Sequence, residues 1–162
     1  MKDLLDKLSS YNIFNYLLPG ILFAVFASKL TIYTFIQSDI VLGVFVYYFL
    51  GLVVSRFGSL VIEPMLKKIC FIRFASYGDF VSASKKDDKI EVLSEVNNMY
   101  RTLCSLFVLL LLLFGYQSIQ IRVPGLTPWN PYIAAALLVI MFLLSYRKQT
   151  AYVAKRIESN KG

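Results

Sequence analysis

KKDDKIEVLSEVNNMYRTLCSLFVLLLLLFGYQSIQ, residues 85–120, decides how the rest of the chain is read. Its first half is polar and amphipathic, its second half is almost continuously apolar, and no Gly or Pro occurs before Gly115. The pattern predicts one long helix, wet over its first half and in lipid over its second. Asp88 followed by Glu91 has the form of a carboxylate N-cap with its capping-box partner. Val92, Leu93, Val96, Met99, Tyr100 and Leu103 fall on one arc of about 120° at ~100° per residue. Glu91, Ser94, Glu95, Asn97, Asn98, Arg101 and Thr102 take the other arc. Val92, Val96, Met99 and Leu103 also alternate in steps of four and three, the seam of a helix pair or bundle. An apolar stripe outside the membrane with no other core to cover it predicts a homo-oligomer. A rod of this kind carries a change in the cytosol into the bilayer.

The chain has 162 residues, 57% of them hydrophobic, with a mean hydropathy of +0.62, too apolar for an ordinary soluble domain. A transmembrane helix needs about 20 mostly apolar residues. Residues 13–33, 40–61, 103–121 and 132–146 are the candidates. The expected fold is therefore all-α, a polytopic membrane protein with four transmembrane helices and a helical cytosolic region. The expected division is residues 1–62 (an amphipathic segment and two spans), 63–102 (cytosolic helical region), 103–146 (two spans) and 147–162 (basic tail helix).

Orientation follows from the basic residues. Lys2 and Lys7 precede the first span, eight Lys and Arg lie from Arg56 to Arg101, and five follow Tyr146. Only Lys29 and Arg122 fall toward the other side. Both termini and the central region are expected in the cytosol. The same bias accounts for most of the +7 net charge, which by itself requires no nucleic-acid site. Cys70 and Cys104 map to the reducing side and, with no histidine in the chain, make neither a disulfide nor a metal site. They read as small core residues.

Residues 1–10 set Leu4, Leu5 and Leu8 against Lys2, Asp3, Asp6 and Lys7, an amphipathic segment for the inner interface. Its charges cancel and the apolar run passes Ala27, which argues against a cleaved signal peptide. Pro19-Gly20 is expected to kink the first span. Gly20, Ala24 and Ser28 form one small-residue face; Gly51, Ser55 and Ser59, with Gly58 beside them, form another. Arg56 falls in the inner leaflet or at its edge, where an arginine needs a partner or water. Glu63 shares its face but lies about 10 Å along the axis. A pair between Arg56 and Glu63 of neighbouring helices or copies is one reading, and snorkelling to headgroups is the other.

Pro64 is expected where the second span leaves the membrane, residues 65–74 as a second interfacial helix, and Tyr77-Gly78-Asp79 as a turn. Asp87, Asp88, Glu91 and Glu95 are explained by capping and a solvated face rather than by acid–base chemistry. Trp129 and Tyr132 read as interfacial anchors of the outer loop. Tyr146, Thr150, Val153 and Ile157 make an apolar stripe on the tail, largely opposite Arg147, Lys148, Lys155 and Arg156. Such a tail lies on anionic lipid or packs on the central helix.

Histidine chemistry is excluded outright, and no Gly-rich phosphate loop, nucleophile elbow or Ser–Lys dyad is present. The chain is not expected to be an enzyme or to carry a cofactor. Two classes remain. One is an oligomeric pore closed by a hydrophobic gate and controlled from the cytosol. Its basic surface of Lys67, Lys68, Arg73, Lys85, Lys86 and Arg101 would receive a nucleotide, a nucleic acid or an acidic cytosolic protein partner. The other is a non-conducting anchor that recruits such a partner to the membrane lipid.

Asn15-Tyr16-Leu17-Leu18-Pro19-Gly20 at the head of a short chain, with four spans around a basic helical region, resembles the small membrane subunits of bacterial anti-phage defence systems. The Hailong-type effector and the four-span subunit of Kiwa are examples of that layout. The resemblance implies association with a soluble partner and, once triggered, damage to the inner membrane. The Hailong-type case implies control by a nucleotidyltransferase-like partner and its DNA product.

Overall fold

The structure, a computed structural model, describes residues 13–159, and every regular element among them is helical. A π-helical turn, Ile13–Leu17, leads into α1, Leu18–Leu30. Helix α2 is Ile40–Lys68, α3 is Tyr77–Ser84 and α4 is Lys89–Arg122. A 3₁₀ turn, Pro124–Trp129, then precedes α5, Asn130–Ser159. The expected amphipathic segment of residues 1–10 lies outside the described residues.

Among the described residues three helices are long and apolar enough to cross a membrane: Ile40–Lys68, Lys89–Arg122 and Pro124–Ser159. The first apolar helix, Asn15–Leu30, is shorter. It rises about 24 Å, against a hydrocarbon core of ~30 Å. Its early end has a local cause, since Thr31 is extended and both its N–H and its hydroxyl bond the Ala27 carbonyl. Pro19 sits in the first turn of α1, where its missing N–H costs little, so the irregularity falls in the π turn before it.

Helix α4 runs its full 34 residues, about 51 Å, without a break at Arg101. Its cap differs from the expected one. Asp88 has helical backbone angles and no capping bond, while Asp87 Oδ1 accepts the Lys89 N–H at 2.9 Å. Helix α5 likewise passes straight through Tyr146, so the fourth apolar run and the basic tail are one element.

Residues 65–74 do not form a separate interfacial helix. Pro64 falls in the first turn after a π turn at Gly58–Ile62, and α2 continues through it to Lys68. It stops at Cys70, whose φ of 57° is left-handed. The Phe71 N–H reaches the Leu66 carbonyl and the Cys70 N–H the Lys67 carbonyl, a Schellman closure made without glycine. Tyr77-Gly78-Asp79 opens α3 rather than forming a turn. Ser76 Oγ accepts the Asp79 N–H and donates to its carboxylate.

The core lies between α1, α2 and α4, around Phe23, Ala27, Val54, Leu106 and Leu110. Helices α1 and α2 meet backbone to backbone. A Cβ on Gly20 would run into the Tyr47 carbonyl, and one on Gly51 into the Tyr16 carbonyl. On α1 the buried face is Gly20, Ala24 and Ala27; Ser28 is half-buried and hydrogen-bonds the following segment. Helix α5 stands to one side, with Ser145 its only buried residue. Both cysteines are exposed, which corrects the expectation that they are core residues. Cys104 sits on the outer face of α4 and Cys70 on the helix-ending turn.

Gly51→Ala should cost about 3 kcal/mol or more, because the clash is with backbone that no rotamer change can relieve; an unchanged unfolding midpoint in detergent would place the crossing elsewhere. Cys70→Gly should instead stabilise by about 1 kcal/mol, by removing the left-handed penalty on a side-chain-bearing residue. The same unfolding measurement reads it.

Candidate functional site

Glu63 and Pro64 together create a buried polar point in α2. Within the π turn the Glu63 N–H bonds the Gly58 carbonyl, five residues back. The next bond of that register would run from residue 64 to Ser59, and proline has no N–H to give. Lys148 of α5 takes the vacancy, its Nζ donating to the Ser59 carbonyl at 2.6 Å and to Ser59 Oγ at 2.7 Å. The lysine is thereby drawn to within 3.6 Å of the Glu63 carboxylate.

Three ion pairs converge on that carboxylate. Lys67 Nζ lies 2.9 Å from Oε1, Arg101 Nη1 2.7 Å from Oε2, and Lys148 approaches Oε1. The Glu63 side chain is 7% exposed, against 21% for Arg101, 26% for Lys148 and 43% for Lys67. Gly58 admits α4 at this level, since a Cβ there would collide with Ser105 Oγ and press on the Arg101 side chain. Ser105 and Thr102 return their hydroxyls to the α4 backbone, so neither competes for the carboxylate. Phe74 lies under the Lys67 ammonium at 4.2 Å from its ring centre. One acid thus fastens α2 to α4 and α5 and leaves two positive charges uncompensated. Arg101 Nε is buried and finds no acceptor among the described residues, so donor capacity is left over as well.

Arg56 does not meet Glu63 within the chain. Its Nη2 donates to the Tyr16 hydroxyl at 3.4 Å, toward α1, while Glu63 is enclosed by its three cations. Arg101, assigned by sequence to the basic ligand surface, is turned inward onto Glu63, and Lys67 is shared between Glu63 and Phe74. Lys68, Arg73, Lys85 and Lys86 are exposed beyond this end of the helices. Of the expected seam, Val92 and Val96 are exposed, with Leu93 and Tyr100 beside them, whereas Met99 and Leu103 are half-buried at its edge. The face α4 gives to its own chain is a different one, through Thr102, Ser105, Leu106 and Leu110.

A second polar cluster closes the opposite end. Gln117 Oε1 accepts the Ile32 N–H at 2.8 Å, and the Tyr33 hydroxyl donates to Gln120 Oε1. Gln120 Nε2 donates to Thr127 and the Tyr116 hydroxyl to Asn130 Oδ1. Among the described residues no group of His, Cys, Asp and Glu could hold a metal ion.

Lys148 is the member of the site that sequence reasoning missed. The Glu63–Lys67 spacing of four is legible in the chain, and so is the proline that frees a carbonyl one turn back. Which cation fills that vacancy depends on how α5 packs. Glu63→Gln should destabilise by about 3–5 kcal/mol, because it strands buried cations. Lys67→Gln, which removes a half-exposed pair within one helix, should cost no more than about 0.5 kcal/mol. Equal losses in thermal midpoint would show that the carboxylate is solvated. No family model, curated protein or solved structure matches the chain.

Proposed function

We propose that the protein is a multi-pass inner-membrane effector that assembles into an oligomeric pore gated from the cytosol, with a role in anti-phage defence. The observation that carries this reading is α4 itself. One unbroken 34-residue helix offers uncovered Val92, Leu93, Val96 and Tyr100 at one end and an apolar membrane span at the other. A stripe that the described residues leave bare supports a second copy as its cover. The trigger is a soluble protein partner or an anionic ligand, a nucleotide or nucleic acid, on exposed Lys68, Arg73, Lys85 and Lys86. The likeness in layout to the membrane subunits of anti-phage defence systems supports the biological role.

In this reading Asn15–Leu30 is a fourth, short span, completed across the outer leaflet by the extended segment that follows it. Both termini face the cytosol, which agrees with the distribution of basic residues. Asn15–Leu30 lies antiparallel to α2 along the Gly20–Gly51 crossing, as two successive spans must.

A second reading, a non-conducting anchor for a cytosolic partner, draws support from the outward faces of α4 and α5. Leu111, Leu112, Phe114, Leu137, Val139, Ile140 and Leu143 give them no polar stripe to line an open lumen.

Purified protein in vesicles should release a small fluorescent dye or pass ion current, and Val96→Asp should abolish both the oligomer and the leak. Oligomers without any conductance would favour the anchor. Mass photometry showing the same species for wild type and Val96→Asp would remove the seam.

A further inference from the structure

Helix α5 is hydrogen-bonded to the bundle at two levels, and between them Phe142 meets Phe49 of α2 ring to ring. Lys148 holds it at the Glu63 end, and Asn130 holds it to Tyr116 at the other. Between the tethers lies an apolar groove of about 720 Å³, walled by α2, α4 and α5. Val61, Leu112, Leu137 and Leu144 line it and are exposed, so it opens sideways to the bilayer. From Asn130 to Leu144 it follows α5 for about 21 Å, longer than the ~15 Å of one leaflet of hydrocarbon. Apart from Asn130 and the Tyr116 hydroxyl at the far end, nothing in its wall can hydrogen-bond.

The other end of the groove is charged. Lys148 follows Leu144 by one helical turn on the same face, and Glu63 and Lys67 follow Leu60 and Val61 along α2. The cluster there carries two more positive charges than negative, with Lys67 still 43% exposed. We infer that the groove is a binding site for one anionic phospholipid, an acyl chain lying between α2, α4 and α5 and the headgroup phosphate meeting Lys67 and Lys148.

Charge complementarity selects this occupant over a helix of a second copy. Between Ile40 and Lys68, Glu63 is the only carboxylate, and it is enclosed; Thr102–Arg122 and Asn130–Ile157 contain none. No apolar segment of another copy could bring an anion to the mouth, whereas a phosphodiester at the headgroup level does so by default. The lipid would also cover the membrane face of α5, which contributes no buried residue to the chain's own packing there.

The test is native mass spectrometry of the full chain in detergent, titrated with phosphatidylglycerol or phosphatidylcholine of matched acyl chains. The wild type should retain one phosphatidylglycerol per chain at low ratios and bind phosphatidylcholine more weakly. Lys67→Gln, which leaves the Arg101 and Lys148 pairs intact, should weaken phosphatidylglycerol about fivefold and leave phosphatidylcholine unchanged. Ala134→Trp fills the groove without touching the charged cluster and should reduce binding of both lipids. Equal affinity for the two headgroups, or indifference to Ala134→Trp, overturns the proposal. So does a cross-link between copies through Leu137→Cys that forms with no lipid bound, because the groove would then belong to another helix. The readout is independent of conductance, so its failure leaves the pore reading standing, and the reverse holds.

Discussion

A carboxylate that leaves water must be matched by cations or it does not stay ionised, and that requirement at Glu63 organises one end of this protein. Lys67 alone, four residues on in the same helix, would meet it only partly, because its ammonium is nearly half exposed. Arg101 and Lys148 complete the match and come from different helices. The attachment of both α4 and α5 to α2 at this level is therefore a condition for burying one acid. Pro64 makes it specific. By withholding an N–H within a π turn, it leaves the Ser59 carbonyl open, and that carbonyl fixes where along α5 the lysine docks. A salt bridge alone would allow several registers, whereas a salt bridge combined with a carbonyl vacancy allows one.

Away from the two ends the helices hold together by other means. Lipid tails are as apolar as Leu, so burial from water drives nothing in the middle of the bilayer, and contact depends on how closely backbones can approach. Gly20 and Gly51 supply that approach between α1 and α2, and Gly58 supplies it between α2 and α4. Helix α5 presents Leu137, Leu138, Ile140, Met141 and Leu144 to the groove, all large side chains apart from Ala134. It is accordingly hydrogen-bonded to the bundle near both ends, and between them it meets α2 through the ring contact of Phe142 with Phe49. The groove is the expected result of polar tethers at both ends of a helix with no small-residue face.

The long elements were legible in the sequence because each rests on a local rule. The absence of Gly and Pro before Gly115 was enough to anticipate α4, and the small residues on α1 and α2 to anticipate that some helix approaches each closely, though not that the two approach each other. Errors gathered where a neighbouring bond competes with the obvious one. Asp87 caps α4 in place of Asp88, since two adjacent carboxylates offer the same signature and only geometry chooses. Ser76-Tyr77-Gly78-Asp79 carries a helix-start pattern that the Tyr-Gly-Asp run obscured as a turn. Pro64 suggested an exit from the helix because the π turn that absorbs it leaves no mark in composition. Arg56 and Glu63 share a helical face, yet each is taken by a residue far away in the chain: Tyr16 for one, Arg101 and Lys148 for the other. Tertiary partners of that kind have no period to reveal them.

The placement of Arg101 has a mechanical consequence. It sits between the wet half of α4 and the apolar half, at the one level where α4 is bonded by charge to its neighbours. A rotation of α4 by about 30° moves a Cα only ~1 Å on its 2.3 Å radius, but it carries groups at the helix surface by about 3 Å. Van der Waals packing around Leu106 and Leu110 accommodates such a turn by side-chain adjustment. The Arg101–Glu63 contact is more sensitive, because it is a directional 2.7 Å pair on a carboxylate that is only 7% exposed. A turn of α4 imposed at Val92–Tyr100 would therefore either be stopped at Arg101 or break the pair and leave Glu63 to Lys67 and Lys148. In the gated-pore reading proposed above, those would be the two arrangements between which a push on the helix end selects.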